Sequence, residues 1–297
     1  MTSHYWRDHG AFLRHEFPHP PWLIRSLLPW GGVALLHGPP GHGKTLLALT
    51  LAKAVAEGHH WLHEFACKPA SVLVLETDMP NSLYQTYWRT AGGPNGLQVR
   101  HASTDGAPFD VMSSIPEVVR EAASDAPSLV IVDSLRNVHG LDEDASTSPP
   151  AVYGKFKALF RGSAFVFLHH DRKDGTDQFY VKRPAQAARG SGAWAGSADL
   201  CMQLERLSKD GEDWQGRLSF PKVRGAQRKP FPLKMDEATL DITPSEPTPQ
   251  QLAQQALRAG CKTVDQLAGA LLSGGSVSSQ TAYEIARDVL AAKTPNT

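Results

Sequence analysis

The chain has 297 residues, which allows one large domain or one domain of ordinary size with an appendage. Thirty basic and thirty acidic residues cancel, so net charge identifies neither a nucleic-acid nor a membrane partner, and any basic surface must be local. Three cysteines lie far apart at Cys67, Cys201 and Cys261, a spacing that argues against a zinc site and favours a reducing compartment.

The first predicted strand leads directly into a glycine-rich loop. Gly38-Pro-Pro-Gly-His-Gly-Lys-Thr45 fits the P-loop pattern G-x-x-x-x-G-K-[ST], whose backbone N–H groups surround phosphates. In this pattern Lys44 reaches the β and γ oxygens and the Thr45 hydroxyl ligates Mg²⁺. A helix over residues 44–57 follows and points its positive end at the phosphates, a context that a ligand-free glycine turn does not need. We therefore predict ATP and Mg²⁺ as cofactors, bound by Gly38, Pro39, Pro40, Gly41, His42, Gly43, Lys44 and Thr45.

Short, almost wholly apolar segments alternate with helical segments through the first half of the chain. Such segments are typical of parallel strands that are covered on both faces. Their alternation with helices predicts a doubly wound α/β sheet that binds its ligands at the carboxyl ends of the strands. The predicted strands span residues 33–36, 71–75, 97–100, 129–132 and 165–168, and the predicted helices span 44–57, 80–91, 114–124 and 149–161.

The pattern changes after Asp199. Strands over residues 200–205, 217–223 and 232–235, joined by turns, predict an antiparallel extension of the sheet. A polar, proline-rich linker then precedes three helical patterns, which predict a helix-turn-helix or winged-helix-like module. The predicted organisation is an arm over 1–30, an ATPase domain over 31–243, a linker over 244–250 and a helical module over 251–297, with helices at 250–259, 263–272 and 279–292.

Acidic residues stand at the ends of two predicted strands. Asp133 follows strand 129–132 and is placed to support Mg²⁺, but Ser134 occupies the next position, where many ATPases carry a second acid. Glu76 directly follows the second predicted strand and reaches the same edge of the sheet. We predict that Glu76 orients or deprotonates the attacking water. The alternatives are Asp78 as the base, or Glu76 as an exposed loop acid.

The fifth predicted strand ends in His169 and His170, and a long, locally basic segment follows. A polar side chain at this position, such as His170, can hydrogen-bond the γ-phosphate and transmit hydrolysis to that segment. Basic residues interleaved with aromatic residues suit single-stranded nucleic acid, although a solvated loop without a ligand is the alternative. The candidate DNA-contacting residues are Arg172, Lys173, Lys182 and Arg183.

Two cations stand close together near the end of the predicted strand 217–223. Lys222 and Arg224 are two residues apart and therefore project from one face of the strand. At a subunit edge such a pair can contact the γ-phosphate held by a neighbouring subunit, as an arginine finger does. The alternative is an ordinary pair of surface charges.

Together these positions resemble the RecA-like family, particularly the hexameric replicative helicases of the plasmid RepA type, with the DnaB helicases more distant. The resemblance covers roughly residues 20–240. It implies that Glu76 is the catalytic base, that His170 senses the γ-phosphate, and that the loop after the histidines faces DNA in a central channel. It also implies that Arg224 or Arg189 acts across the subunit interface. The positions that carry it are Gly38 to Thr45, Glu76, Asp133-Ser134, His169-His170, Arg189-Gly-Ser and Lys222-Val-Arg224.

The resemblance implies a ring-forming, ATP-driven motor, most simply a hexameric replicative helicase of the 5′–3′ type that moves on single-stranded DNA, with a primase or an initiator as a further partner. One alternative is a recombinase-like filament. Another is an NTP-gated regulator whose carboxyl-terminal helices bind duplex DNA. Residues 279–292 contain Arg287 as their one basic residue, which favours a protein-docking role for that module. Because we find no signal pattern and no apolar run of about 20 residues, we expect a cytoplasmic protein without a membrane partner.

Overall fold

Apolar runs and helical runs take the positions that their alternation predicts. The computed structural model describes residues 8–15, 22–92, 98–171, 192–224, 228–273 and 277–291. Its strands are β1 Trp22–Ile24, β2 Leu28–Pro29, β3 Val33–Gly38, β4 His60–Trp61, β5 Phe65–Ala66, β6 Val72–Glu76, β7 Val99–Ser103, β8 Leu129–Asp133, β9 Ala164–His170, β10 Leu200–Arg206, β11 Gln215–Val223, β12 Phe231–Asp236 and β13 Asp241–Pro244. Its α-helices are α1 His9–Arg14, α2 Lys44–Glu57, α3 Asn81–Thr90, α4 Glu117–Ser124, α5 Ser148–Leu159, α6 Ala193–Ser197, α7 Pro249–Arg258, α8 Val264–Ser273 and α9 Ser279–Ala291, and a 3₁₀ helix spans Leu135–Val138.

One nine-stranded sheet forms the centre of the fold. Its strand order is β13-β12-β11-β10-β3-β9-β8-β6-β7. Neighbouring strands from β10 to β7 are parallel, whereas β11, β12 and β13 continue the sheet in antiparallel fashion. The predicted α/β class with an antiparallel extension and a small helical carboxyl-terminal module is therefore confirmed.

The parallel strands are buried on both faces because helices cover both. Along β3, Ala34 and Leu36 join an apolar cluster with Leu47 of α2, on what we call the α2 face. Val33 and Leu35 join a second cluster with residues of α5, on the α5 face. Successive strand residues point to opposite faces, so a strand covered on both sides must be apolar throughout.

The antiparallel extension is one strand longer than the sequence predicts. β13 pairs with β12, and its residue Ile242 is buried, so Pro244 belongs to the sheet rather than to the predicted linker. The prediction misses β13 because it is short and borders a proline-rich stretch. At the other end of that stretch, α7 begins at Pro249 after a capping box formed by Thr248 and Gln251. The connection between the sheet and the helices is thus only residues 245–248.

Helices α7, α8 and α9 form a separate apolar cluster of their own. Ala253, Leu267 and Ala286 lie at its centre. Cavities of about 460 and 360 Å³ lie between these helices and the sheet domain, and both are lined by polar as well as apolar side chains. The module is therefore joined to the sheet domain across a junction of mixed polar and apolar character. Polar contacts across it include Gln250 N to Glu64 Oε2 at 2.8 Å, Thr248 Oγ1 to the His63 carbonyl at 3.3 Å, and Arg25 to Asp288 at 2.6 Å.

The remaining predicted bounds differ from the structure by a few residues. β7 begins at Val99 and extends to Ser103, so its carboxyl end lies further along the chain than predicted. α4 begins only at Glu117, after Pro116 in an extended conformation. Across the described ranges, we find no helix with the length and apolar character needed to cross a membrane.

Candidate active site

The carboxyl edge of the parallel sheet brings four strand ends together, three of which carry polar side chains. In the strand order, β3, β9, β8 and β6 are consecutive. Gly38 of β3 pairs with His170 of β9, and Glu76 of β6 pairs with Asp133 of β8. The four residues therefore line one edge, as expected for a parallel sheet whose connections return over its faces.

Glycines are required at two points of the loop after β3 for different reasons. A Cβ on Gly38 would lie 2.2 Å from the Leu204 carbonyl oxygen of β10, so only glycine fits between these strands. Gly43 has φ of +89°, a left-handed conformation, and forms the N-cap of α2. The loop therefore turns sharply and leads into a helix whose first residues carry Lys44 and Thr45.

Lys44 is buried and its ammonium group lies inside the loop. Its Nζ donates to the carbonyl oxygens of Gly38 and Pro39 at 2.9 and 2.8 Å, and lies 3.2 Å from Nδ1 of His170. Burial lowers the pKa of Lys44, which Asp133 and Asp171 partly oppose. The structure thus brings together two residues, Lys44 and His170, that sequence analysis assigned separately to phosphate binding and phosphate sensing.

Thr45 and Asp133 are also in direct contact. The Thr45 hydroxyl donates to Oδ2 of Asp133 at 2.6 Å. Burial raises the pKa of Asp133 to about 6, even though this hydrogen bond opposes the shift. Two oxygen ligands side by side, with a second carboxylate on the neighbouring strand, fit Mg²⁺, which usually keeps several waters and takes few protein ligands. A bound cation would also favour the ionised form of both carboxylates.

Glu76 is fully buried and held in one orientation. Its Oε1 accepts from the backbone N–H groups of Asp78 and Met79 at 2.6 and 2.9 Å. Its Oε2 has no hydrogen-bond partner among the described residues. Burial and the neighbouring Asp133 together raise the pKa of Glu76 to about 8. The carboxyl group therefore has one fixed oxygen and one available oxygen, and its raised pKa suits proton transfer near neutral pH.

A supporting network, which sequence analysis missed, joins the ends of β6 and β8. Thr77 N donates to the Asp133 carbonyl at 2.7 Å, and Thr77 Oγ1 accepts from Ser134 N at 3.1 Å. Asn137 donates through Nδ2 to the Thr77 carbonyl at 2.8 Å and to Oδ1 of Asp78 at 3.0 Å. Asp78 is thereby held outside the buried site. No sequence signal identifies this network, because its key contacts use backbone atoms of residues more than 50 positions apart.

A second feature missed from the sequence lies on the outer side of the P-loop. Backbone N of Arg206 donates to Nδ1 of His42 at 2.9 Å, which ties the loop to the end of β10. Burial, with Lys44 and Arg206 nearby, lowers the pKa of His42. A cavity of about 560 Å³ opens beside this contact, lined by Pro40, Gly41, His42, Arg206, Ser208, Lys209 and Asp210.

Lys222 and Arg224 lie away from this site. β11 runs antiparallel to β10, so Lys222 pairs with Cys201 at the start of β10, which is the amino edge of the parallel sheet. Lys222 donates through Nζ to the Gly196 carbonyl of α6 at 2.5 Å, and Arg224 pairs with Asp199 at 2.8 Å. Within one chain, these cations are at the opposite edge of the sheet from Lys44. The other predicted cations, Arg172, Lys173, Lys182, Arg183 and Arg189, lie outside the described residues, and their roles stay predictions.

The family model described as AAA domain matches residues 4–176. None of the curated protein sequences matches the chain. Among solved structures, the chain is similar to a KaiC-like protein from the hyperthermophilic archaeon Pyrococcus horikoshii OT3, at 15% identity and a TM-score of 0.53, over 75% of this chain and 94% of that one. It is also similar to the ATPase domain of G40P, at 12% identity and a TM-score of 0.55, over 72% of this chain and 85% of that one.

At these identities the two structural matches show the fold. Together with the family model, they confirm that the domain is a RecA-like P-loop ATPase domain, as the P-loop and the two strand-end acids predict. The narrower resemblance to RepA-type and DnaB helicases stays a prediction.

Proposed function

Because more than half of the chain matches the family model, the protein belongs to the AAA-domain family of ATPases, and we propose that it forms a ring that hydrolyses ATP to move along single-stranded DNA. One observation supports hydrolysis most directly. Glu76 is buried with one oxygen available, next to the Thr45–Asp133 pair that fits Mg²⁺. This arrangement combines a general base and a cation site at the end of a P-loop.

The proposed roles follow from the contacts of each side chain. Lys44 and the loop amides bind the β- and γ-phosphates, and His170 contacts Lys44 from the neighbouring strand. Mg²⁺, held by Thr45 and Asp133, would neutralise charge on the phosphate oxygens. Glu76 takes a proton from the attacking water through Oε2, while the two backbone N–H groups hold Oε1 in place.

The position of Lys222 and Arg224 supports assembly. Because they lie at the amino edge of the parallel sheet, they are at the wrong edge to reach the phosphates bound by their own chain. A head-to-tail neighbour brings this edge of one subunit to the carboxyl edge of the next, and a head-to-tail contact that closes gives a ring. We therefore propose that Arg224, with Lys222 beside it, completes the site of the adjacent subunit.

The DNA part of the proposal rests on the residues that follow β9. His170 contacts Lys44 and shortly precedes, in the sequence, the predicted DNA-contacting residues that begin with Arg172, so a change at the γ-phosphate can be passed along the chain to them. Arg189 is the second candidate for action across the interface.

Mixing two inactive variants tests the shared site. Glu76→Gln subunits lack the base, and Arg224→Ala subunits lack the finger, so neither variant alone should hydrolyse ATP. In a 1:1 mixture, about a quarter of head-to-tail interfaces should combine an intact base with an intact finger, and activity should return to about that fraction. Arg217→Ala is the matched control, because Arg217 lies in β11, the strand that Arg224 directly follows, but pairs with Glu205. If the mixture stays inactive, or if Arg224→Ala is as active as Arg217→Ala, sites are not shared in this way.

A second experiment distinguishes a ring-forming motor from the two alternatives, a recombinase-like filament and an NTP-gated DNA-binding regulator. ATP turnover is measured with and without single-stranded DNA, alongside the mass of the assembly with a non-hydrolysable ATP analogue. A closed ring of fixed mass with DNA-stimulated turnover supports the proposal. Open filaments under the same conditions would favour a recombinase, and tight binding of duplex DNA without stimulation would favour a regulator.

A further inference from the structure

The last residues of β9 contact different partners on the two faces of the sheet. Val166 and Leu168 lie on the α2 face, so the alternation of a strand directs His170 to the same side, where it meets Lys44. Phe165 and Phe167 lie on the α5 face, and alternation directs His169 and Asp171 there. The same short stretch of chain therefore carries a phosphate-site contact on one face and other contacts on the opposite face.

On the α5 face, Asp171 is bound to the P-loop strand through a buried histidine. Nδ1 of His37 lies 2.6 Å from Oδ1 of Asp171, and the side chains of both residues are almost completely buried. Because a carboxylate accepts hydrogen bonds, Nδ1 of His37 carries the proton and donates it. Nε2 of His37 has no hydrogen-bond partner among the described residues, so the bond to Asp171 is the polar contact that orients the ring.

A backbone contact reinforces this connection. Asp171 N donates to the Gly38 carbonyl at 3.2 Å, and the same carbonyl accepts from Lys44 Nζ at 2.9 Å. His37 and Gly38 are consecutive at the start of the P-loop, and His170 and Asp171 are consecutive at the end of β9. The two strand ends are therefore held together by a backbone bond and by the His37–Asp171 bond, and His170 lies directly beside this attachment.

We propose that His37 and Asp171 are positioning residues, which hold the end of β9 so that His170 faces Lys44. This proposal rests on the proposed ATPase function. The pair does not touch the phosphates; it acts through His170. Loss of the bond leaves the weaker 3.2 Å backbone contact to fix the chain after His170, so the distance from His170 to Lys44 becomes variable. ATP binding by the P-loop should survive, whereas turnover should fall.

Two substitutions at His37 separate hydrogen bonding from simple packing. An Asn side chain places an N–H near the position of Nδ1, so His37→Asn can still donate to Asp171. A Gln side chain places its N–H near Nε2, so His37→Gln fills a similar space without that bond. We expect His37→Gln to lower kcat about tenfold with KM for ATP within twofold of wild type, and His37→Asn to keep kcat within about threefold.

A double variant tests whether the pair acts through His170. In a His170→Ala background, His37→Gln should lower kcat by less than twofold further, because the group that it positions has already been removed. Circular dichroism and binding of a fluorescent ATP analogue verify that each variant is folded and binds nucleotide.

Each outcome decides the proposal. Wild-type kcat in His37→Gln, equal losses in the Gln and Asn variants, or a full additional loss in the His170→Ala background would overturn the positioning role while leaving the ATPase function intact. Absence of ATP turnover in the wild-type protein would instead defeat the proposed function, and the positioning role with it.

Discussion

Two buried glutamates stand in two different regions of the molecule. Glu76 ends β6 at the carboxyl edge of the sheet and is fully buried, and Glu64, between β4 and β5, is 9% exposed at the junction with the helical module. Each accepts a hydrogen bond from backbone N–H, and burial raises the pKa of both. The two carboxyl groups are thus similar in burial and in the type of contact that holds them.

Their neighbours differ in charge. Glu64 binds the first turn of α7 through Gln250 N, and the half-buried Arg228 lowers its pKa, so its charge is partly compensated. Glu76 faces the carboxylate of Asp133, which raises its pKa further. Burial alone therefore does not distinguish a structural carboxylate from the proposed catalytic one. The distinguishing features are an unsatisfied oxygen and a like charge, both of which favour the arrival of a cation and a proton transfer.

The largest expected difference between the two glutamates is the effect of their substitution on ATP turnover. We expect Glu76→Gln to lower kcat for ATP by about 10²- to 10⁴-fold, because general-base catalysis is lost while Oε1 can still be held by the same N–H groups. Glu64→Gln, the matched change at the junction, should keep kcat within about twofold. Steady-state ATPase assays with Mg²⁺, together with binding of a non-hydrolysable analogue, test both. Similar losses in the two variants would remove the distinction.

The same Glu76→Gln substitution that lowers kcat should make the folded protein more stable at high pH. The pKa of Glu76 in the folded protein, about 8, lies above its ordinary value of 4.5, so between these pH values the folded protein retains a proton that the unfolded chain releases. This contribution to stability is complete below pH 4.5 and is lost as pH rises through about 8. Glu76→Gln does not titrate, so without divalent cations it should be more stable than wild type by on the order of 4 kcal/mol at pH 8, and equally stable near pH 4. Denaturant unfolding at several pH values measures the difference, and added Mg²⁺ should reduce it.

Removal of the positive charge of Arg228 should leave Glu64, like Glu76, without a compensating cation. Arg228→Gln leaves the carboxylate of Glu64 buried without its positive neighbour, which should weaken attachment of the helical module by about 1–2 kcal/mol. Limited proteolysis across residues 245–248 reports this attachment. Lys229→Gln changes the adjacent, exposed residue and serves as the control. Equal cleavage rates in the two variants would show that Arg228 does not compensate Glu64.

The smallest expected effect concerns the cap of α7. Thr248→Ala removes the hydroxyl that accepts from Gln251 N and donates to the His63 carbonyl, and should cost about 1 kcal/mol. Thr263→Ala is the control, because it removes a similar hydroxyl, which accepts from Gln266 N at the start of α8. Among the described hydrogen bonds, the Thr263 hydroxyl makes none with the sheet domain. The melting temperature should fall by a similar amount in both variants, but only Thr248→Ala should increase the rate of proteolytic cleavage across residues 245–248.

The sequence predicts those parts of the site that are recognisable from a few consecutive residues. The P-loop, the acids Glu76 and Asp133, and His170 all stand directly after apolar strands, so their meeting at one edge follows from parallel topology. β13 escapes prediction because four residues beside a proline-rich stretch carry too little periodicity. The His37–Asp171 pair escapes it for a different reason: 134 residues separate its members, and only the adjacency of β3 and β9 brings them together.

The positions of Lys222 and Arg224 show where sequence reasoning needs the fold. Their spacing identifies them as a pair on one face of a strand, but it cannot tell which edge of the sheet the strand end occupies. The antiparallel pairing of β11 with β10 supplies that information and places both at the edge opposite Lys44. The proposed action on a neighbouring subunit follows from this placement.

The alternation along β9 restricts how this stretch of the gene can change. Inserting or deleting one residue between Ala164 and His169 would rotate every later side chain to the opposite face of the sheet. Asp171 or His169 would then face Lys44, while His170 would face His37. Both the contact between His170 and Lys44 and the bond between His37 and Asp171 would be lost in a single event. We expect natural relatives to substitute residues within this strand but to align with it without gaps.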